Sequence, residues 1–222
     1  YPKLTANVSA ESVTVNSGAE LDLGGQIIKK GTGPNDFTPL TNNGTLKMTG
    51  TADHLAWFRA GNNNKISLNE NSTVEYYGNP STASDVWEGP YQNLKVSDVR
   101  QTLNASSMEV KQDLTITRSP VTITTTGNQT YHGNVIAFKE VAPSSYTYYD
   151  LTLTGGTIKT SNTVTAGNLT VRGGWSSKKV DARGNIEVNT TPHSSSNTWT
   201  AGGEIFVKGN LTAAQLNQTS GT

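Results

Sequence analysis

Tyr148–Arg172, YYDLTLTGGTIKTSNTVTAGNLTVR, contains two short phrases, Asp150-Leu151-Thr152-Leu153-Thr154 and Asn168-Leu169-Thr170-Val171-Arg172. Their leucines, Leu151 and Leu169, lie eighteen residues apart. Each phrase alternates apolar and polar side chains, the period of a strand that buries one face. Phrases that keep the same polar and apolar order, one after another along the chain, are what parallel in-register stacking requires.

The same phrase occurs well outside this stretch. Lys65-Ile66-Ser67-Leu68, Asn93-Leu94-Lys95-Val96, Asp113-Leu114-Thr115-Ile116, Asn185-Ile186-Glu187-Val188 and Glu204-Ile205-Phe206-Val207 share it. From Ile66 the steps between first aliphatics are 28, 20, 37, 18, 17 and 19 residues, and Val135-Ile136 falls near the middle of the longest. A second phrase places a small turn before a short strand: Ser17 to Gly24, Asn43 to Gly50 and Asn71 to Gly78. A recurring period is the signature of a stacked-repeat architecture. The expected fold is therefore all-β, a parallel β-solenoid (β-helix) with coils of roughly 18–20 residues. An antiparallel β-sandwich, which also has short strands at regular spacing, is the alternative. Hairpin signals are scarce, Asn43-Gly44 being the main one. Helices fit poorly, because the aliphatics repeat every second residue among β-branched residues and glycine.

On this reading Leu94/Val96, Leu114/Ile116, Leu151/Leu153, Leu169/Val171, Ile186/Val188 and Ile205/Val207 make two inward columns. Some eleven coils at about 4.8 Å each would give a rod of roughly 50 Å. Residues 1–222 are expected to form a single elongated segment of a longer chain.

Composition narrows the function classes. Apolar residues make up 33 % of the 222, yet Val, Ile and Thr are plentiful and the net charge is zero, which favours folded β-structure over disorder. Seventeen basic and seventeen acidic residues are scattered, leaving no electrostatic footprint for nucleic acid. No apolar run approaches the ~20 residues that span a bilayer. Cysteine is absent, so neither disulfides nor thiolate metal sites arise. His54, His132 and His193 have no ligand-like spacing, and neither metal nor cofactor is expected.

The phrases from Val13 to Gly25, Asn43 to Leu46, Asn71 to Tyr77, Tyr91 to Val96, Tyr148 to Leu153 and Gly167 to Val171 resemble the repetitive secreted surface proteins of Bacteroidetes. The likeness runs from about Val13 to Val207 and breaks at 117–146 and 175–200. It implies an extracellular or cell-surface location, and neighbouring segments of the same long chain, surface glycans or other cell-surface proteins as partners.

The expected function is a non-catalytic structural or adhesive module of a large exported bacterial cell-surface protein. The alternative is a glycan-binding or polysaccharide-processing β-helix. Trp57, Trp87, Trp175 and Trp199 lie outside the repeat phrases and are its candidate contacts, since Trp can stack on sugar rings. The charged groups Asp85/Glu88 and Lys178/Lys179/Asp181/Arg183 lack the paired-carboxylate pattern of glycoside hydrolysis. Thr-x-Thr rows such as Thr115/Thr117 and Thr152/Thr154 could order water, but the expected columns also carry Lys95, Arg172 and Lys208, which break a flat face.

Overall fold

The computed structural model describes residues 1–60, 65–78, 83–97, 101–118, 120–143, 145–155 and 158–160, followed by the strands at 164–166, 169–173, 179–182, 186–188, 198–202, 204–207, 211–213 and 215–220. The regular structure of the described residues is β-strand apart from one short helix, Ala52–Phe58. Nine strands form the largest sheet in strict chain order: Glu20–Asp22, Thr45–Met48, Thr73–Tyr76, Asn93–Val96, Leu114–Ile116, Val135–Ile136, Val164–Ala166, Ile186–Val188 and Leu211–Ala213. A seven-stranded sheet contains Ser84–Asp85, Gln101–Ala105, Val121–Thr125, Leu151–Gly155, Leu169–Gly173, Thr198–Gly202 and Gln215–Ser220. A five-stranded sheet contains Met108–Val110, Gln129–Tyr131, Ile158–Thr160, Lys179–Ala182 and Glu204–Val207. Val13–Val15, Leu40–Asn42 and Ile66–Leu68 form a three-stranded sheet nearer the N-terminus.

All four sheets pair in parallel. Antiparallel pairing among the described residues is confined to the hairpin Phe138–Ala142/Ser145–Tyr148 and an isolated Lys29–Phe37 bridge. The described strands therefore do not form the antiparallel sandwich. From Asn93 onward the described strands visit the nine-, seven- and five-stranded sheets in rotation, with the hairpin inserted between Val135–Ile136 and Leu151–Gly155.

That rotation corrects the expected columns. Leu94 and Leu114 do stack, as do Leu151 and Leu169, but in different sheets. Ile186 joins the nine-stranded sheet, Ile205 the five-stranded one and Ile66 the three-stranded one. One repeat phrase thus serves four sheets, because alternation encodes a buried face and not the neighbour it packs against. The two phrase families also merge, since Leu46, Val74 and Leu94 are consecutive register partners.

The period is looser than 18–20 residues. Register partners Leu21, Leu46, Val74, Leu94, Leu114, Val135, Val164, Ile186 and Leu211 are 20 to 29 residues apart. Eight such steps at about 4.8 Å span about 38 Å, shorter than the expected rod. The hairpin falls inside the longest step and accounts for much of its length.

Asn43-Gly44 makes no hairpin. It carries the chain from Leu40–Asn42 in one sheet to Thr45–Met48 in another. A Cβ on Gly44 would lie 2.3 Å from the Ala19 carbonyl oxygen and 2.4 Å from that of Asn16, so only glycine permits the close stacking of these corners.

Inside, Leu46, Val74, Leu94, Leu114 and Val135 form a fully buried column, and Leu103, Ile123 and Leu153 form another. The polar residue that opens each phrase has its own ladder. Asn93 Nδ2 donates to the Ser72 carbonyl at 3.3 Å and to Gln112 Oε1 at 2.8 Å, while Asn93 Oδ1 accepts from Asp113 N at 3.2 Å. Asp113 Oδ1 in turn accepts from Asn134 N at 2.8 Å. Asn or Asp recurs there because its short side chain satisfies the backbone of a neighbouring corner.

Candidate functional site

The regular rotation begins only at Asn93, and the residues just before it build the aromatic and cleft region. Thr51 caps the helix by accepting from His54 N at 3.3 Å, and His54 Nδ1 accepts in return from Thr51 N at 3.1 Å. His54 Nε2 then donates to the Gln26 carbonyl at 2.8 Å, so the ring is the neutral Nε2–H tautomer. Burial is the main influence on His54 and holds its pKa below 6.5, against opposing effects of the Gln26 hydrogen bond and Asp53. This reciprocal cap with histidine in the usual Glu/Gln place is why the helix is hard to see in the sequence.

The helix turns Trp57 and Phe58 inward. Trp57 is 0 % exposed, donates from Nε1 to the Thr38 carbonyl at 2.8 Å and stacks on Phe37 with centroids 6.1 Å apart. It is a core residue with no surface to offer a ligand. Trp87 is half-buried, stacked on Phe58 at 5.0 Å and edge-on to Tyr91 at 5.3 Å. Tyr91 donates its hydroxyl proton to the Trp87 carbonyl at 2.6 Å and lies 3.1 Å from the Tyr76 hydroxyl. Trp199 lies in a strand, at the register position of Leu169 and Leu216, and not in an irregular stretch. Trp175 lies outside the described residues. Of the tryptophans whose side chains are described, Trp57 is sealed in the core and Trp87 packs in the aromatic cluster beside it.

What the structure brings together instead is a cleft of about 330 Å3 between the helix and the start of the seven-stranded sheet. Leu55 and Arg59 contribute from the helix, Asp85 and Val86 from the first strand and the residue after it, and Asn104, Ala105 and Ser106 from the next strand and its end, with Thr126 beyond. Asp85 and Asn104 are direct register partners. Arg59 forms an ion pair with Glu88, with Nη2 on Oε1 and Nε 3.4 Å from Oε2. Ser106 Oγ donates to the same Glu88 Oε1 at 2.8 Å. Burial opposes ionisation of Glu88, but the hydrogen bonds from Arg59 and Ser106 outweigh it and hold the carboxyl below its ordinary value.

Asp85 and Glu88 stood out in the sequence as a charged pair; Leu55, Arg59, Asn104, Ser106 and Thr126 did not. The Arg59–Glu88 bridge spans 29 residues and no local pattern announces it. Of the other charged group, Lys179 and Asp181 occupy one strand, opposite Glu204 and Phe206, while Lys178 and Arg183 lie outside the described residues. His132 is exposed, 3.3 Å from Glu109, and His193 lies outside the described residues. No three metal-ligating side chains gather among the described residues, and no described helix is long and apolar enough to cross a membrane.

A glycosidase-type acid needs a carboxyl whose pKa is raised. Glu88 is shifted the opposite way. The cleft offers hydrogen-bonding groups around an apolar floor, an arrangement suited to holding a polar ligand. No family model matches the chain, and neither does any curated protein or solved structure.

Proposed function

We propose that the chain is a parallel β-solenoid segment serving as a non-catalytic stalk or adhesive module of an exported bacterial cell-surface protein. The observation that carries this reading is the rotation of the chain through three parallel sheets from Asn93 onward. Each turn of such a stack contributes only a few large apolar side chains, at roughly 1.5–3 kcal/mol apiece. Stability then grows by adding neighbours, and length comes with it. The resemblance to repetitive secreted surface proteins supports the extracellular address.

The test is protease shaving of intact producing cells, followed by detection of the segment. Release without lysis is expected, and retention inside the cell would sink the reading. Small-angle scattering of the purified chain checks the shape, for which an elongated particle is expected. Incubation with plant and bacterial polysaccharides is expected to liberate no new reducing or unsaturated ends.

A further inference from the structure

The adhesive reading leaves its ligand unnamed, and the cleft beside the helix narrows the chemistry. Resting on that reading, we infer that the cleft binds a neutral sugar unit of a glycan. Its volume of about 330 Å3 is at the small end of ligand clefts, room for a small ring system and not for a folded partner. Its lining is amphipathic in the way a sugar is: the half-buried Leu55 and Ala105 supply apolar surface for ring C–H groups above the buried Val86, and polar side chains surround them.

The charges select against an anion. Arg59 is already neutralised by Glu88, which Ser106 also engages. Asp85 is exposed and has no ion-pair partner among the described residues, so its carboxylate repels an acidic sugar and accepts from hydroxyls. The amide of its register partner Asn104 can both donate and accept, matching adjacent hydroxyls that do the same. With one uncommitted carboxylate and no gathering of metal ligands among the described residues, a divalent cation is the poorer fit.

The same face continues beyond the cleft as a hydroxyl-bearing surface. Thr102, Thr122 and Thr152 are consecutive register partners, each half-buried, and Thr170 and Thr200 occupy the next two register positions. This corrects the expected column in which Lys95 interrupts the threonines, because Lys95 and Thr115 belong to the other sheet. The adjacent register positions hold Asp85, Asn104, Thr124, Thr154, Arg172 and Gly202, so among the described strands of this sheet the Thr-x-Thr order falls at 122/124 and 152/154 and is interrupted at the others. Such a face suits a glycan chain leaving the cleft better than the flat, uninterrupted lattice that ice would require.

The experiment is a glycan array with the purified chain, using neutral hexose and N-acetylhexosamine oligosaccharides beside their uronic and sulfated counterparts. Titration of the best neutral binder follows. Neutral glycans are expected to bind in preference to acidic ones. Asp85→Ala and Asn104→Ala are each expected to weaken binding at least tenfold while the thermal unfolding midpoint stays at the wild-type value. Amide chemical-shift changes on sugar addition should centre on Ser106 and Thr126, a readout independent of the variants. The inference is overturned if no neutral glycan binds, if acidic glycans bind better, if both variants bind as wild type, or if the chain inhibits ice recrystallisation but binds no sugar. Failure to bind sugar with surface exposure retained removes this inference alone, whereas an intracellular location removes the reading beneath it.

Discussion

At Gly44 the conflict is steric and local. The carbonyl oxygens a Cβ would meet belong to the backbone of the preceding corner, at 2.3 and 2.4 Å, and cannot rotate away as a side chain could. Gly44→Ala is expected to lower stability by about 1–3 kcal/mol, read as a reduced urea midpoint with unchanged m-value. His54 supplies the pH dependence at this scale. Its folded pKa is below 6.5, so the unfolded chain takes up the proton first as pH falls. The stability of the neutral, capped ring is fully present above the unfolded value and is lost progressively as pH drops toward the folded one. Urea midpoints are expected to decline as pH falls below the ordinary histidine value of about 6.5. His54→Gln should flatten that decline; an unchanged slope would show that His54 is not its source.

Along neighbouring strands, outward side chains meet at the strand spacing and their charges are arranged to suit it. Lys47, Glu75 and Lys95 are register partners on three successive strands of the nine-stranded sheet. Glu75, with a side chain only 5 % exposed, lies 3.9 Å from Lys47 Nζ and 3.0 Å from Lys95 Nζ and accepts from Ser97 Oγ at 2.5 Å. A slip of one residue would place these charges against apolar positions, so the ladder holds register as well as adding energy. Glu75→Gln is expected to cost about 1–2 kcal/mol. A double-mutant cycle with Lys95→Met should show coupling between the two positions. Additive effects would mean that the ion pair contributes nothing. The Asn93–Asp113–Asn134 ladder does comparable work at the corners with hydrogen bonds.

For the whole molecule, most contacts between elements run between neighbouring strands of the parallel sheets, so damage should stay local. Leu114 is fully buried between Leu94 and Val135. Leu114→Ala is expected to cost about 2–5 kcal/mol. By hydrogen exchange the loss of protection should centre on the strands from Asn93 to Ile136, with those from Val13 to Tyr76 keeping theirs. Uniform loss across the chain would instead indicate a single cooperative core.

Much of this was legible in the residues. Period-two alternation, turn residues before each phrase and the preserved order of polar and apolar positions are properties of single strands. They determined an all-β chain of short strands, the buried identity of Leu94, Leu114, Leu151 and Leu169, and the parallel stacking of Leu151 on Leu169. Alternation cannot say which strand lies beside which, because every sheet asks for the same pattern on its inner face. The tertiary structure alone decided that one phrase serves four sheets, that Thr152 stacks on Thr122 and not on Thr115, and that Trp57 is core. It also decided the cleft. Arg59 caps the helix, Asp85 lies on the edge strand with Glu88 just after it, and Asn104 lies on the neighbouring strand, so only the tertiary fold brings the four together.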